Sequence, residues 1–143
     1  TSSESTFSDF SGYQRYILPL EGKIKLYHKG LYNRDLDKYD VEYFDGSWDT
    51  FSENTLDCRD YNFIVKGGSA AKMQVLHKGE EYNLKESQIV TIFSVKDYML
   101  EFNNDDKRHI DGFSLLVLET DKQEKIKILD AETPILITEF TTK

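Results

Sequence analysis

Residues Phe7 to Gly30 read FSDFSGYQRYILPLEGKIKLYHKG and carry the clearest strand pattern in the chain. Two runs of alternating apolar and polar residues lie on either side of Glu21-Gly22, and a period of two is the pattern of β-strands. An arginine, Arg15, interrupts the first run. The stretch therefore predicts two consecutive strands joined by a glycine hairpin. It leaves open whether the side chain of Arg15 points into the protein or toward solvent.

The same alternation continues along the chain. Tyr39, Val41 and Tyr43 lie on the face opposite Asp40 and Glu42. Near-continuous apolar runs at 89–93 and 113–118 indicate strands that are buried on both faces or that lie at a junction between sheets, and further runs follow at 125–129 and 135–138. Pairs that contain glycine separate the runs and predict hairpin turns. These pairs are Glu21-Gly22, Lys29-Gly30, Asp45-Gly46, Gly67-Gly68, Lys78-Gly79 and Asp111-Gly112.

Roughly ten or more short strands, without an amphipathic helix of three turns, predict an all-β fold. The expected architecture is an antiparallel β-barrel or jelly roll. A length of 143 residues fits one compact unit over 1–143. It also fits two barrel halves, and we place their division between 1–78 and 79–143.

Composition excludes several function classes. The net charge of −8 would repel a phosphate backbone or an anionic membrane surface, so we expect neither nucleic acid nor a membrane as partner. No apolar run approaches the roughly 20 residues of a membrane-spanning helix. The single cysteine cannot form an internal disulfide, which favours a reducing, cytoplasmic location.

Three stretches, in order, carry a family resemblance: Phe7–Gly22, Tyr43–Thr50 (YFDGSWDT) and Asp60–Gly68 (DYNFIVKGG). Together they resemble the HutD/Ves family of cupin-fold proteins. The resemblance implies a bicupin of two small barrels in a bacterial cytoplasmic protein. Family members are associated with histidine utilisation or with temperature stress. The resemblance also implies a further segment before Thr1, which would carry a tryptophan and a glycine-rich stretch.

The histidines do not predict a metal site. Metal-dependent cupins use a His-x-His pair followed by further ligands, whereas His28, His77 and His109 each stand alone. Cys58 lies between Asp57 and Arg59, whose charges act in opposite directions on a thiol pKa, so the sequence does not indicate an activated nucleophile. We therefore expect no metal and no cofactor, and we assign no catalytic residue.

Arg15 has two interpretations that depend on strand phase. Tyr16, Leu18 and Leu20 form the other face of the run, and if they point inward then Arg15 lies outside the barrel. It would then tie strands together through an ion pair with an acid such as Asp60 or Glu42. This interpretation is the favoured one. In the opposite phase Arg15 is a buried cation in the cavity, and it needs a carboxylate from the protein or from a ligand.

The leading functional hypothesis is a metal-independent cupin-like protein that binds a small polar or acidic metabolite, such as a carboxylate. The candidate ligand-binding residues are Arg15, His28, Phe44, Trp48 and Asn62. Arg15 would bind the anion and the others would form the pocket walls. The segment from Phe44 to Trp48 resembles a turn in which Gly46 would permit a positive φ. Structural packing remains the alternative role for Phe44 and Trp48.

Two other functions stay open. One is an isomerase-type or hydrolase-type enzyme that uses acid–base groups alone, with His28 paired to Asp40 or Glu42. The other is an interaction or regulatory module that forms a homodimer through an exposed sheet face. Tyr27, Tyr39 and Tyr43 would supply its aromatic anchors.

Overall fold

The computed structural model describes residues 2–86 and 88–141, with side chains from residue 4 onward. These residues form fifteen strands in four antiparallel sheets and contain no helix, which confirms the all-β prediction. The described ranges accordingly hold no helix that is long and apolar enough to cross a membrane. The first seven strands are β1 (Ser2–Thr6), β2 (Tyr13–Glu21), β3 (Ile24–His28), β4 (Tyr32–Leu36), β5 (Glu42–Asp45), β6 (Thr50–Thr55) and β7 (Arg59–Lys66). The remaining eight are β8 (Ala71–Leu76), β9 (Glu81–Leu84), β10 (Gln88–Ser94), β11 (Tyr98–Phe102), β12 (Asp106–Ile110), β13 (Ser114–Thr120), β14 (Glu124–Ala131) and β15 (Ile135–Phe140).

The chain divides into two compact units, Thr1–Gly68 and Ser69–Lys143. The division lies ten residues before the one that we placed after Lys78. The physical reason is the pairing of β8, which is hydrogen-bonded to β15 from Ala71 to Leu76 and so belongs to the second unit.

The first unit contains two sheets, with strand orders β1-β6-β3-β4 and β5-β2-β7. Strand β2 is the centre of the smaller sheet, where Arg15 lies opposite Phe44 on one side and opposite Ile64 on the other. Apolar side chains from both sheets form the core of this unit, because each strand turns alternate residues inward. The buried core residues are Ile17, Ile24, Leu26, Leu36 and Phe44.

The second unit also contains two sheets, with orders β13-β10-β15-β8 and β12-β11-β14-β9. The apolar runs of the sequence form β10, β13, β14 and β15 as predicted. Burial on both faces holds for most of β10 but not for β13, where Leu115 and Val117 are more than half exposed because the strand lies at the edge of its sheet and turns one face outward. Their inward residues supply most of a larger core. Its fully buried members are Val90, Ile92, Leu100, Ile126, Ile128, Ile135 and Ile137.

The glycine pairs mark turns, but most of these turns are not hairpins. Lys29-Gly30 joins β3 to its hydrogen-bonded neighbour β4, as predicted. Glu21-Gly22 instead joins β2 to β3, and these two strands belong to different sheets. The hairpin prediction at this point is therefore wrong. Gly22 adopts a φ of +72° where the chain crosses from one sheet to the other, and that conformation favours glycine.

Candidate functional site

The side chain of Arg15 points inward. It is only 7% exposed and it shares the face of β2 with Ile17, a member of the first unit's core. The favoured prediction of an outward arginine is therefore wrong. Strand phase could not decide the direction, because Tyr16 and Leu18 on the opposite face are buried as well.

Three aromatic rings surround the Arg15 guanidinium. Its carbon Cζ lies 4.9 Å from the ring centroid of Phe7, 5.1 Å from that of Phe10 and 5.2 Å from that of Phe44. A cation within about 6 Å of a ring centroid is attracted by the electrons of the ring face. The rings therefore compensate part of the hydration that the buried cation has lost.

The polar contacts of Arg15 are incomplete. Its Nη2 donates a hydrogen bond of 3.1 Å to Oδ1 of Asn62, an exposed residue of β7. The buried Nε has no hydrogen-bond partner, and within the described ranges Arg15 forms no ion pair with a carboxylate. Burial lowers the pKa of Arg15, and the more distant charge of Asp60 raises it. The predicted ion pairs with Asp60 and Glu42 are thus not formed.

The segment between β1 and β2 holds Phe7 and Phe10 against Arg15. The Phe10 amide donates to the Gly46 carbonyl at 2.9 Å, and the Gly46 amide donates to the Tyr13 carbonyl at 2.8 Å. Gly46 lies in the turn as expected but does not use the positive φ that glycine permits. A Cβ at this position would lie 2.8 Å from Cβ of Phe10, so glycine is required by close approach.

His28 and Glu42 form a buried polar pair in the same unit. Nε2 of His28 lies 3.1 Å from Oε2 of Glu42, and Nδ1 lies 2.8 Å from Oγ1 of Thr50. The side chain of His28 is fully buried and that of Glu42 is 5% exposed. The sequence placed Glu42 on the face opposite three apolar residues, and it is this face of β5 that points inward.

Two side chains of β4 complete the environment of Glu42. The Tyr32 hydroxyl donates to Oε2 at 2.9 Å, and Nη1 of Arg34 donates to Oε1 at 3.0 Å. The pKa of Tyr32 is raised, mainly by desolvation and to a smaller extent by the hydrogen bond to Glu42. Both carboxylate oxygens of Glu42 and both ring nitrogens of His28 therefore have partners. A substrate would have to displace one of these partners before either residue could exchange a proton with it.

Phe44 contacts both Arg15 and His28 and so connects the arginine to the His28–Glu42 pair. Its ring centroid lies 4.9 Å from that of His28, whose ring also meets Trp48 edge-on at 5.2 Å. The five residues that the sequence predicted thus lie in one continuous series of contacts, from Asn62 through Arg15 and Phe44 to His28 and Trp48. Phe44 is fully buried, whereas Trp48 is half-buried beside Tyr32.

The larger open cavities described in the first unit are lined by other residues. One of about 510 Å³ is lined by Glu4, Ser5, Thr6, Lys29, Asp49 and Phe51. The contacts of Arg15 reach solvent at Asn62, which is exposed on β7, an edge strand of its sheet.

The remaining candidates for chemistry lie apart from this series. His77 is exposed in the second unit and pairs with Glu80 at 2.8 Å. In the part of the chain that the structure describes, one group of side chains could converge on a metal ion, namely Asp97, His109 and Asp111, and all three are exposed. Burial raises the pKa of Cys58, and the charges of Asp60 and Asp57 raise it further, so this thiol is not activated.

Sequence reasoning missed several residues of the site. Phe7 and Phe10 belong to the stretch that carried the family resemblance, so their spacing ahead of Arg15 was a usable signal. Tyr32 and Arg34 lie on a strand with mostly exposed residues, and Thr50 on a strand that begins directly after a turn. No local pattern distinguishes these three, because the partner of Tyr32 and Arg34 is Glu42 and the partner of Thr50 is His28, each on a different strand.

The comparisons with known proteins agree with this architecture. The family model described as HutD matches residues 1–136. The chain belongs to the HutD family.

Solved structures support the same fold. HutD from Pseudomonas fluorescens SBW25 is 20% identical, with a TM-score of 0.78 over 99% of this chain and 74% of that one. The conserved protein of unknown function PA5104 from Pseudomonas aeruginosa PAO1 is 22% identical, with a TM-score of 0.84 over 99% and 77%. A Cupin 2 conserved barrel domain protein from Leptotrichia buccalis is 10% identical, with a TM-score of 0.57 over 99% and 79%. A search of curated proteins finds no match. The chain is thus a cupin-like member of the HutD family.

Proposed function

We propose that the first unit binds a small carboxylate at Arg15, without a metal ion. The observation that carries this proposal is the state of Arg15, a residue only 7% exposed whose guanidinium forms no ion pair with a protein carboxylate in the described ranges. A buried charge is costly unless it is paired and hydrogen-bonded. A ligand carboxylate would supply the missing acceptor.

The chemistry of the neighbours favours a carboxylate over other ligands. Guanidinium presents a planar fork of donors that matches two carboxylate oxygens. Asn62 already accepts from Nη2 through Oδ1, which leaves its amide NH₂ free to donate to the ligand. The rings of Phe7, Phe10 and Phe44 exclude water and so strengthen the attraction between guanidinium and carboxylate.

The geometry supports the acid–base alternative less well. His28 and Glu42 are paired as that hypothesis required, but each of their polar atoms already has a protein partner. The aromatic-anchor alternative is also weakened, because Tyr27 stacks on Phe51 at 4.5 Å and donates to Glu53. The His28–Glu42 pair and Tyr27 therefore contribute to the internal structure of the first unit.

The family association with histidine utilisation gives the proposal its ligand series. Intermediates of histidine breakdown are small carboxylates, and a cytoplasmic location would bring the protein together with them. We therefore extend the proposal to a ligand of this class, which the protein would bind without converting it chemically.

Calorimetric titration tests this proposal. Formate, acetate, urocanate, N-formylglutamate and histidine are titrated at millimolar concentration into the protein and into Arg15→Lys. We expect at least one carboxylate to release binding heat, and we expect Arg15→Lys to weaken it at least tenfold because lysine cannot offer the planar fork. Arg108→Lys is the matched control, since Arg108 is exposed and pairs with Asp106 in the second unit.

Two results would contradict the proposal. One is the absence of binding heat for every carboxylate with a protein that unfolds cooperatively. The other is equal affinity in the wild-type protein and in Arg15→Lys for every carboxylate that binds. Either would leave the contacts of Arg15 with the aromatic rings as purely structural packing.

A further inference from the structure

A second buried charge, Glu139, lies in the other unit. Its side chain is only 2% exposed, and it shares the inward face of β15 with Ile135 and Ile137 of the core. The Tyr82 hydroxyl donates to Oε1, and Nζ of Lys72 lies 3.7 Å from the same oxygen. Burial and the neighbouring carboxylate raise the pKa of Tyr82, so its hydroxyl keeps its proton and remains a donor.

The second oxygen of Glu139 has no partner. Oε2 is buried and accepts no hydrogen bond in the part of the chain that the structure describes. An ionised carboxylate has several acceptor sites, and leaving them unused in the interior costs free energy. A donor from outside the chain would satisfy this oxygen.

Glu139 also lines an open cavity of about 200 Å³. Two alanines leave the space open, and two lysines and a glutamine bring polar groups to it. The lining residues are Ala70, Ala71, Lys72, Lys85, Gln88 and Glu139. At ~30 Å³ for each water molecule, the space equals that of about six or seven waters, which suits a ligand of the size of a small amino acid.

We propose that this cavity binds a small zwitterion of the α-amino acid class, whose ammonium group donates to Glu139 and whose carboxylate faces Lys85. The charges of the lining require both groups on one ligand. An amine alone would approach the ammonium groups of Lys72 and Lys85, and a carboxylate alone would approach Glu139. Lys72 is already near Glu139, so Lys85 is the cation with no ion-pair partner in the described part of the chain.

Three related probes separate the contributions of the two groups. L-Alanine carries both charges, L-alaninamide has lost the carboxylate and N-acetyl-L-alanine has lost the ammonium group. Each is titrated into the full chain by calorimetry. We expect L-alanine to bind at least tenfold more tightly than either derivative, because each derivative leaves one charge of the cavity unpaired.

Matched variants locate the binding. Glu139→Gln and Lys85→Gln should each lower the affinity for L-alanine at least tenfold, whereas Glu119→Gln and Lys122→Gln on exposed positions should leave it unchanged. Lys85 is exposed, so its replacement tests the site even if Glu139→Gln fails to fold. The same titration in Arg15→Lys should give the wild-type affinity, which distinguishes this site from the one proposed in the first unit.

The proposal is overturned if all three probes bind equally or if L-alanine fails to bind. It is also overturned if Glu139→Gln and Lys85→Gln both bind as the wild-type protein does. Loss of binding in Arg15→Lys alone would place the amino acid in the first unit and would equally overturn it.

Discussion

Nε2 of His28 lies 3.1 Å from Oε2 of Glu42, and both side chains are almost completely withdrawn from solvent. The pair is held by Thr50 on one side and by Tyr32 and Arg34 on the other. A buried pair with all its hydrogen bonds formed is tolerated in a core, whereas a pair that has lost one partner is strongly destabilising.

Glu42→Gln should therefore lower the free energy of unfolding by about 3 kcal/mol, because Arg34 and His28 lose the charge that satisfies them. Urea denaturation followed by circular dichroism measures the loss. Asp49→Asn is the control: its exposed carboxylate lies 3.9 Å from Lys29, and its replacement should change stability by less than ~0.5 kcal/mol. Equal stability of the two variants would show that the buried pair does not support the fold.

Gly46→Ala should lower both the stability of the protein and its affinity for a carboxylate. The new Cβ would push against Phe10, which packs over the Arg15 guanidinium. Gly30→Ala provides the comparison, because its φ of +78° is strained for alanine while the space around it is open. We expect Gly30→Ala to cost about 1 kcal/mol of stability and to leave binding unchanged. Thermal unfolding and titration on both variants check this, and unaltered binding in Gly46→Ala would contradict it.

Tyr98→Phe should stabilise the protein at neutral pH by about 1 kcal/mol. The hydroxyl of Tyr98 is buried and has no hydrogen-bond partner in the described ranges, so its removal relieves an unsatisfied polar group. Urea denaturation at pH 7 measures the gain. A loss of stability would indicate that the hydroxyl has a partner after all.

The same residue gives a prediction for alkaline pH. Burial raises the pKa of Tyr98 from 10.0 to about 12. Because the folded protein holds this proton more tightly than the unfolded chain, titration of Tyr98 leaves the free energy of unfolding unchanged below pH ~10 and lowers it as the pH rises from there through 12. Stability measured from pH 9 to 12 should therefore fall less steeply in Tyr98→Phe than in the wild-type protein. Parallel profiles would contradict the prediction.

Cys58 should react slowly with a disulfide reagent such as Ellman's reagent at pH 8. Its pKa is raised mainly by burial and further by the negative charges of Asp60 and Asp57, so little thiolate is present. The double replacement of Asp60 and Asp57 by asparagine should increase the rate by removing two negative charges. Asp49→Asn should leave the rate unchanged. An equal rate in the wild-type protein, the double variant and Asp49→Asn would mean that burial alone controls the reactivity of Cys58.

Several features of the site could be predicted from the sequence. The stretch around Arg15 identified the family, and the residues Arg15, His28, Phe44, Trp48 and Asn62 proved to lie in continuous contact. Their role in binding stays a prediction that the titrations test. The direction of Arg15 could not be read from the pattern, because β2 is buried on both faces and its alternation therefore carries no information about which face is inward.

The turns also show what a local sequence pattern cannot predict. Glycine marked the ends of strands correctly at Gly22, Gly30 and Gly79, where the backbone adopts a positive φ. It did not show which strands are partners, since β2 is bonded to β5 and β7 rather than to β3. Hydrogen bonds in a sheet join residues that are distant in the chain, and a local pattern describes only one strand at a time.

The local pattern was enough to predict β-strands, because an alternation with a period of two is a property of each strand alone. It also determined the family, because the motifs are local. The folded chain was needed to show that Arg15 is enclosed by Phe7, Phe10 and Phe44 and that Glu42 is hydrogen-bonded to His28. These contacts depend on which strands pair and on which face turns inward, and both are fixed by the packing of residues from separate strands around one core.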